Sequence, residues 1–213
     1  DQTVELKPEV EVKTDAIDQD TEMNEGLANE RVTIVDRVSY KHLIVGKNYT
    51  VKGVLMDKAT GKPFLTREGD EVPAEKTFKA EKSDGTINLE FYIKRGDLAG
   101  KTVVVFEKLY HDEKEVAVHT DIEDEAQTVT YPKVGTKASE TTGSTDKEVI
   151  IKDIVSYENL VPGKGYTVTG TLMDKSTGKA FEAGDKEVTG KATFIASESG
   201  SGTVEVSFQF DRS

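Results

Sequence analysis

The feature that most constrains this chain is a long internal repeat. Val35-Asp36-Arg37-Val38-Ser39-Tyr40 returns as Lys152-Asp153-Ile154-Val155-Ser156-Tyr157, and Tyr49-Thr50-Val51-Lys52-Gly53 returns as Tyr166-Thr167-Val168-Thr169-Gly170. Leu55-Met56-Asp57-Lys58-Ala59-Thr60-Gly61-Lys62 likewise returns as Leu172-Met173-Asp174-Lys175-Ser176-Thr177-Gly178-Lys179. The steps from Tyr40 to Tyr157 and from Asp57 to Asp174 are both 117 residues. A constant offset across three separated segments marks a duplicated domain, because chance motifs do not keep register.

The first copy runs on through Val103-Val104-Val105-Phe106-Glu107 to Gln127-Thr128-Val129-Thr130-Tyr131, whereas the second stops at the counterpart of residue 96. Gln2-Thr3-Val4-Glu5-Leu6 echoes the segment that begins at Gln127. The expected organisation is therefore residues 1–7 as the last strand of a preceding repeat, 8–132 as a complete domain, and 133–213 as a second, C-terminally shortened copy.

Hydrophobic residues make up 35% of the 213, charged residues 32%, and tryptophan is absent. That supply suits small cores under a polar surface better than one large enzyme domain. A net charge of −12 repels phosphate backbones and anionic lipid, so nucleic acid and membrane surfaces are excluded as expected partners. With no cysteine, neither disulfides nor thiolate metal sites are available. No apolar run approaches the roughly 20 residues that cross a bilayer, and no signal segment opens the chain.

Short runs rich in Val, Ile, Thr and Tyr predict strands at 32–40, 48–56, 86–93, 102–110, 115–120 and 126–131, with a loop at 18–30. The segments 57–62 and 83–85 read as hairpin turns. No helix longer than a turn or two is expected. The fold class that follows is all-β: tandem immunoglobulin-like β-sandwich domains.

Strand parity then exposes a conflict. Side chains alternate faces, so residues of one parity share a side. The apolar row Val32, Ile34, Val38, Tyr40 contains Asp36, and its second copy contains Asp153. The row Val103, Val105, Leu109 contains Glu107. Thr14 falls among Val10, Val12 and Ala16, and Gln127 among Val129 and Tyr131. A buried carboxylate costs several kcal/mol unless paired or protonated, and two together raise one pKa so that a proton is shared. Any one such residue is more often structural, since strand parity slips at bulges, but four in one domain, some repeated in the next, point to a chemical site.

These residues resemble the Val-x-Phe-Glu repeat domains, the ester-bond domains of Gram-positive cell-wall adhesins. The carrying segments are Val12-Lys13-Thr14-Asp15-Ala16, Ile34-Val35-Asp36, Leu55-Met56-Asp57-Lys58, Val104-Val105-Phe106-Glu107-Lys108-Leu109-Tyr110, and Val116-Ala117-Val118-His119-Thr120-Asp121-Ile122 leading to Gln127-Thr128-Val129. The resemblance implies that Thr14 attacks the Gln127 side-chain amide and expels ammonia, with His119 as base and Asp36 with Glu107 as the acid pair. It implies no cofactor and no metal, and single-turnover self-cross-linking rather than enzyme turnover. A secreted, wall-anchored stalk is also implied, with neighbouring repeats as partners and the host ligand bound by another domain. The family usually carries Thr directly after the Asp, where Arg37 and Ile154 stand here; that Thr is not the nucleophile.

In the second copy Thr136 and Asp153 correspond to Thr14 and Asp36, but Glu, His and Gln counterparts are missing, so no bond is expected there. Gln2 is the counterpart of Gln127 in the preceding repeat. On parity alone His119 falls on the face opposite Val116 and Val118.

Three other readings compete with this one. A Lys–Asn isopeptide stalk domain loses the same ammonia but survives hydroxylamine. An uncross-linked ligand-binding module keeps its full sequence mass. A hydrolase lacks any nucleophile-elbow, metal-ligand or phosphate-loop motif. The acidic run at 121–125 has oxygen ligands for calcium but not the EF-hand spacing, and reads as a solvated loop.

Overall fold

The structure is a computed structural model that describes residues 9–27, 31–94, 96–143 and 148–211, with side chains undescribed at 138–143. Residues 1–8, Gln2 among them, lie outside the described residues. The chain divides into two compact units, residues 1–132 and 133–213.

In the first unit the strands are β1 (Glu11–Lys13), β2 (Ala16–Asp18), β3 (Arg31–Lys41), β4 (Asn48–Asp57), β5 (Lys62–Pro63), β6 (Pro73–Lys79), β7 (Gly85–Lys94), β8 (Lys101–His111), β9 (Lys114–His119) and β10 (Thr128–Tyr131). They form two antiparallel sheets. In the first, β3 is central, with β7 on one side and β1 and β2 on the other. Those two short strands are one edge strand in a single register, from Glu11 opposite Lys41 to Asp18 opposite Ile34. The ladder lapses only around Thr14 and Asp15, where Arg37 still donates its N–H to the Asp15 carbonyl.

In the second sheet β4 pairs with β8 on one edge and with β5 and β6 on the other. Two strands share the far edge of β8: β9 along 107–111 and β10 along 101–104. The 120–127 segment loops out between them. One short 3-10 turn, Glu125–Gln127, ends that loop. Among the described residues no helix is long and apolar enough to cross a membrane.

The alternation anticipated from parity shapes the core. Val32, Ile34, Val38 and Tyr40 of β3, with Leu89, Phe91 and Ile93 of β7 beside them, pack with Tyr49, Val51 and Leu55 of β4 and Val103, Val105 and Leu109 of β8 in one cluster. Each fully buried large apolar side chain contributes about 1.5–3 kcal/mol. Gly53 of β4 serves this packing by having no side chain: a Cβ there would stand 2.6 Å from Leu89 and Phe91.

One turn expectation is corrected. The segment 83–85 makes no hairpin, because β6 pairs in the second sheet and β7 in the first, so it carries the chain across the sandwich. Asp84 instead accepts the N–H of His42 and the hydroxyl of Ser83. The turn at 57–62 does close a hairpin between β4 and β5, with Asp57 accepting from Thr60 and Lys101.

The second unit contains β11 (Lys133–Gly143), β12 (Glu148–Glu158), β13 (Gly165–Thr171), β14 (Glu182–Ala183), β15 (Lys186–Glu187), β16 (Thr189–Ile195) and β17 (Gly202–Asp211). β12 lies between β11 and β17, while β13 pairs with β16 and β14 with β15. Both units are all-β sheet structures, as the strand patterning predicts.

Candidate functional site

The site forms at the seam of the first unit, where the edges of its two sheets approach. There β1 lies beside β9, and β2 beside β10 and the 3-10 turn. Thr14 sits between β1 and β2, Asp36 on β3, Glu107 on β8, His119 at the end of β9, and Gln127 on the last residue of the 3-10 turn.

Four of these are withdrawn from solvent: Asp36 and Gln127 at 0%, Glu107 at 2% and Thr14 at 9% exposure. Neither the Thr14 hydroxyl, nor either carboxylate oxygen of Asp36 or Glu107, nor either amide atom of Gln127 has a hydrogen-bond partner among the described residues. An unpaired buried polar group costs about 1–3 kcal/mol, and native cores hold few of them. Packing alone gives no reason for their concentration around one seam.

Electrostatics ties the acids together. Burial first, then the negative charge of Asp36, pushes Glu107 up to about 9, with Asp124 adding to the rise; the nearby Thr14 hydroxyl opposes it. The hydroxyl lies close enough to act on that carboxyl without completing a normal hydrogen bond. Burial likewise pushes Asp36 up to about 7, opposed by the Asp15 backbone N–H and reinforced by the Asp15 charge. The pair therefore holds at least one proton at neutral pH.

His119 pairs directly with Glu107 in the β8–β9 ladder. Simple alternation puts it on the face opposite Val116, but a register shift between Leu109 and Tyr110 leaves Val116 as the extra residue of a bulge. The bulge resets the parity, so Val118 is exposed while His119 is partly buried. Its Nε2 lies 2.7 Å from Asp124 Oδ2. In the tautomer whose Nε2–H donates to that carboxylate, Nδ1 is the proton acceptor.

Asp124 is a site residue that the sequence pattern did not single out. It is the N-cap of the 3-10 turn, its Oδ1 accepting the Ala126 N–H at 2.8 Å. Its backbone carbonyl accepts the Gln127 N–H at 3.3 Å and the Thr128 hydroxyl at 2.7 Å. One residue thus orients the histidine and fixes the turn that carries Gln127. The available signal was an Asp suited to capping, three residues before Gln127 and five after His119. Gln127 itself sits one element earlier than expected, in the turn before the last strand, and still points inward with Val129 and Tyr131.

A family model for the T-Q ester bond containing domain matches residues 10–131 and again 132–213. The chain belongs to that family. The T-Q ester bond domains here also share their fold with a bacterial adhesin from Mobiluncus mulieris that contains intramolecular disulfide, isopeptide and ester bond cross-links. It is 14% identical, covers 97% of this chain and 100% of its own, and has a TM-score of 0.50. The same adhesin in a second crystal form gives 14% identity, the same coverage and a TM-score of 0.48. No curated protein matches the chain.

In the second T-Q domain Thr136 stands opposite Val155 and Ala138 opposite Asp153, the register that sets Ala16 opposite Asp36 in the first. Yet Thr136 is exposed and Asp153 only half-buried, with one carboxylate oxygen enclosed and unpaired. Among the described residues no group of three or more His, Asp or Glu is arranged to hold a metal.

Proposed function

We propose that the first T-Q domain closes a covalent ester between Thr14 and Gln127 by itself, once per molecule, and that it serves as a self-stapled module in the stalk of a bacterial surface adhesin. The observation that carries this reading is the burial of Thr14, Asp36, Glu107 and Gln127 at one seam with their polar atoms unpaired. In the reaction the Thr14 hydroxyl passes its proton to His119 and its oxygen attacks Cδ of Gln127. The carbonyl oxygen becomes an oxyanion, stabilised by the proton held between Asp36 and Glu107. Collapse breaks the C–N bond, and the nitrogen leaves as ammonia with the proton returned by His119. The threonine hydroxyl and the amide N–H donors disappear, which relieves the donors that folding leaves without partners.

Holding the two groups in one dry pocket replaces a bimolecular encounter with an effective concentration of up to roughly 10⁵–10⁸ M. The bond closes a span of 113 residues, from 14 to 127. By analogy with disulfides that constraint is worth about 4–5 kcal/mol, and it passes load between the ends of the domain covalently. Neighbouring repeats are the partners of such a module, wall attachment and host-ligand binding fall to other parts of the parent protein, and no catalytic turnover follows.

A Lys–Asn isopeptide is disfavoured by a specific observation: among the described residues no lysine or asparagine is buried. Intact-mass measurement tests the proposal. The wild-type chain is lighter than its sequence by one ammonia, and Thr14→Ala, Gln127→Ala and Glu107→Ala each have full mass; a wild type at full mass rejects it.

A further inference from the structure

A second tie joins the same two strands. Tyr131 Oη donates to Asp18 Oδ2 at 3.0 Å across a separation of 113 residues, between side chains 0% and 1% exposed. Thr14 and Gln127 have that same separation, and each lies four residues before its member of the Tyr131–Asp18 pair. With β2 beside β10, equal separations are what two strands running parallel give, so the polar pair and the proposed reactive pair fall at matched points along them.

The register of β10 needs such a pin. Its ladder with β8 is only four residues long, Thr128 opposite Val104 to Tyr131 opposite Lys101, and a slip of one residue turns every side chain to the other face. Gln127 would then leave the pocket. The Asp18 carboxylate is itself held in place, since its Oδ1 accepts the N–H groups of Asp20 at 3.1 Å and Thr21 at 3.0 Å, leaving Oδ2 aimed at the phenol. Burial and the Asp18 charge push the Tyr131 phenol far above its ordinary range, so it keeps its proton and stays a donor. The segment after β2 closes over the pair. Thr130 donates its N–H to the Asn24 carbonyl and accepts from Gly26 N–H. A Cβ on Gly26 would stand 2.3 Å from the Tyr131 ring and 2.7 Å from Asp18 Oδ2, so only glycine lets the backbone pass.

We infer that Asp18 and Tyr131 are positioning residues for ester closure: their buried hydrogen bond sets the register of the first strand against the last and so holds Thr14 against Gln127. This rests on the Thr14–Gln127 reading. Neither residue belongs to the reacting set, so both act through the placement of others.

The test follows ammonia loss by intact mass over time in freshly synthesised full-length chain, under conditions where circular dichroism and protease resistance show each variant folded. Tyr131→Phe keeps the ring and removes the donor; Asp18→Ala removes the acceptor. Both slow closure by between about tenfold and a hundredfold, the cost of a misplacement near 1 Å. Asp18→Asn restores the wild-type rate, because its oxygen still accepts from the turn while its amide donates to the phenol oxygen. The pH profile of closure keeps its shape in every slowed variant, since acids and base are untouched. Gly26→Ala, which drives a methyl into the pair, slows closure likewise and serves if Tyr131→Phe does not fold. Wild-type closure rates in folded Tyr131→Phe or Gly26→Ala overturn the inference while leaving the ester reading intact. A wild type that never loses ammonia overturns both.

Discussion

The two T-Q domains share a frame and differ in what surrounds it. Asp36 lies opposite Leu89 and Asp153 opposite Val206, one repeat step apart. Tyr40, Phe78 and Tyr49 pack ring against ring in the first, with centroids 5.2 and 6.1 Å apart, as Tyr157, Phe194 and Tyr166 do in the second, at 4.8 and 6.1 Å. Yet Asp36 is enclosed and burial pushes its carboxyl up to about 7, while Asp153 is half-buried and Thr136 exposed. In the first domain β8, β9 and the segment leading into β10 bring Glu107, His119, Asp124 and Gln127 to the seam beside the first strand. Local sequence sets where the aspartate stands; the opposite sheet supplies the groups that surround Asp36.

Removing the reacting pair breaks that comparison most severely. In Thr14→Ala the ammonia loss disappears, and the first domain loses about 4–5 kcal/mol. That is roughly 15–25 °C in melting temperature for a domain of this size, read by calorimetry, while the transition of the second domain stays where it was. Next in size, His119→Ala slows closure about 10²–10⁴-fold, and Asp124→Asn slows it less, since the base survives without its orienting carboxylate; time-resolved mass measurements read both.

A pH dependence follows from the acids. Glu107 and Asp36 have folded pKa values raised to about 9 and about 7 from ordinary values of 4.5 and 3.8. The folded state therefore binds protons more tightly than the unfolded chain. Stability is greatest below the ordinary values and is lost as pH rises toward the folded ones. Urea unfolding of Thr14→Ala, whose site cannot close, shows the first domain less stable at pH 8 than at pH 5 by about 2 kcal/mol or more; stability that rises with pH contradicts the assignment. Closure in the wild type slows as pH passes about 9 and the shared proton is lost. The smallest effect belongs to the second domain: Thr136→Ala leaves the mass deficit unchanged and shifts stability by no more than about 0.5 kcal/mol, as for other exposed positions.

What the sequence shows and what it hides divides along physical lines. Asp36 and Glu107 are legible because each interrupts an apolar row whose period is fixed by the strand, and Thr14 and Gln127 because each stands in step with the apolar row beside it. His119 is obscured by the bulge at Val116, which shifts parity without any sequence signature of its own. Asp124 reads as one acid among several in the 121–125 run, and only its capping geometry separates it from the rest. The crossing at 83–85 reads as a hairpin because Gly and Asp permit a turn of either kind, and long-range pairing decides between them. Asp18 resembles the start of a loop, since its partner lies 113 residues away.

The most direct measurement is peptide mapping of the wild-type chain by mass spectrometry, before and after hydroxylamine. The account predicts one joined species containing the peptides of Thr14 and Gln127, lighter by a single ammonia and separated by hydroxylamine. Recovery of both peptides unjoined, or a junction at other residues that hydroxylamine leaves intact, contradicts it.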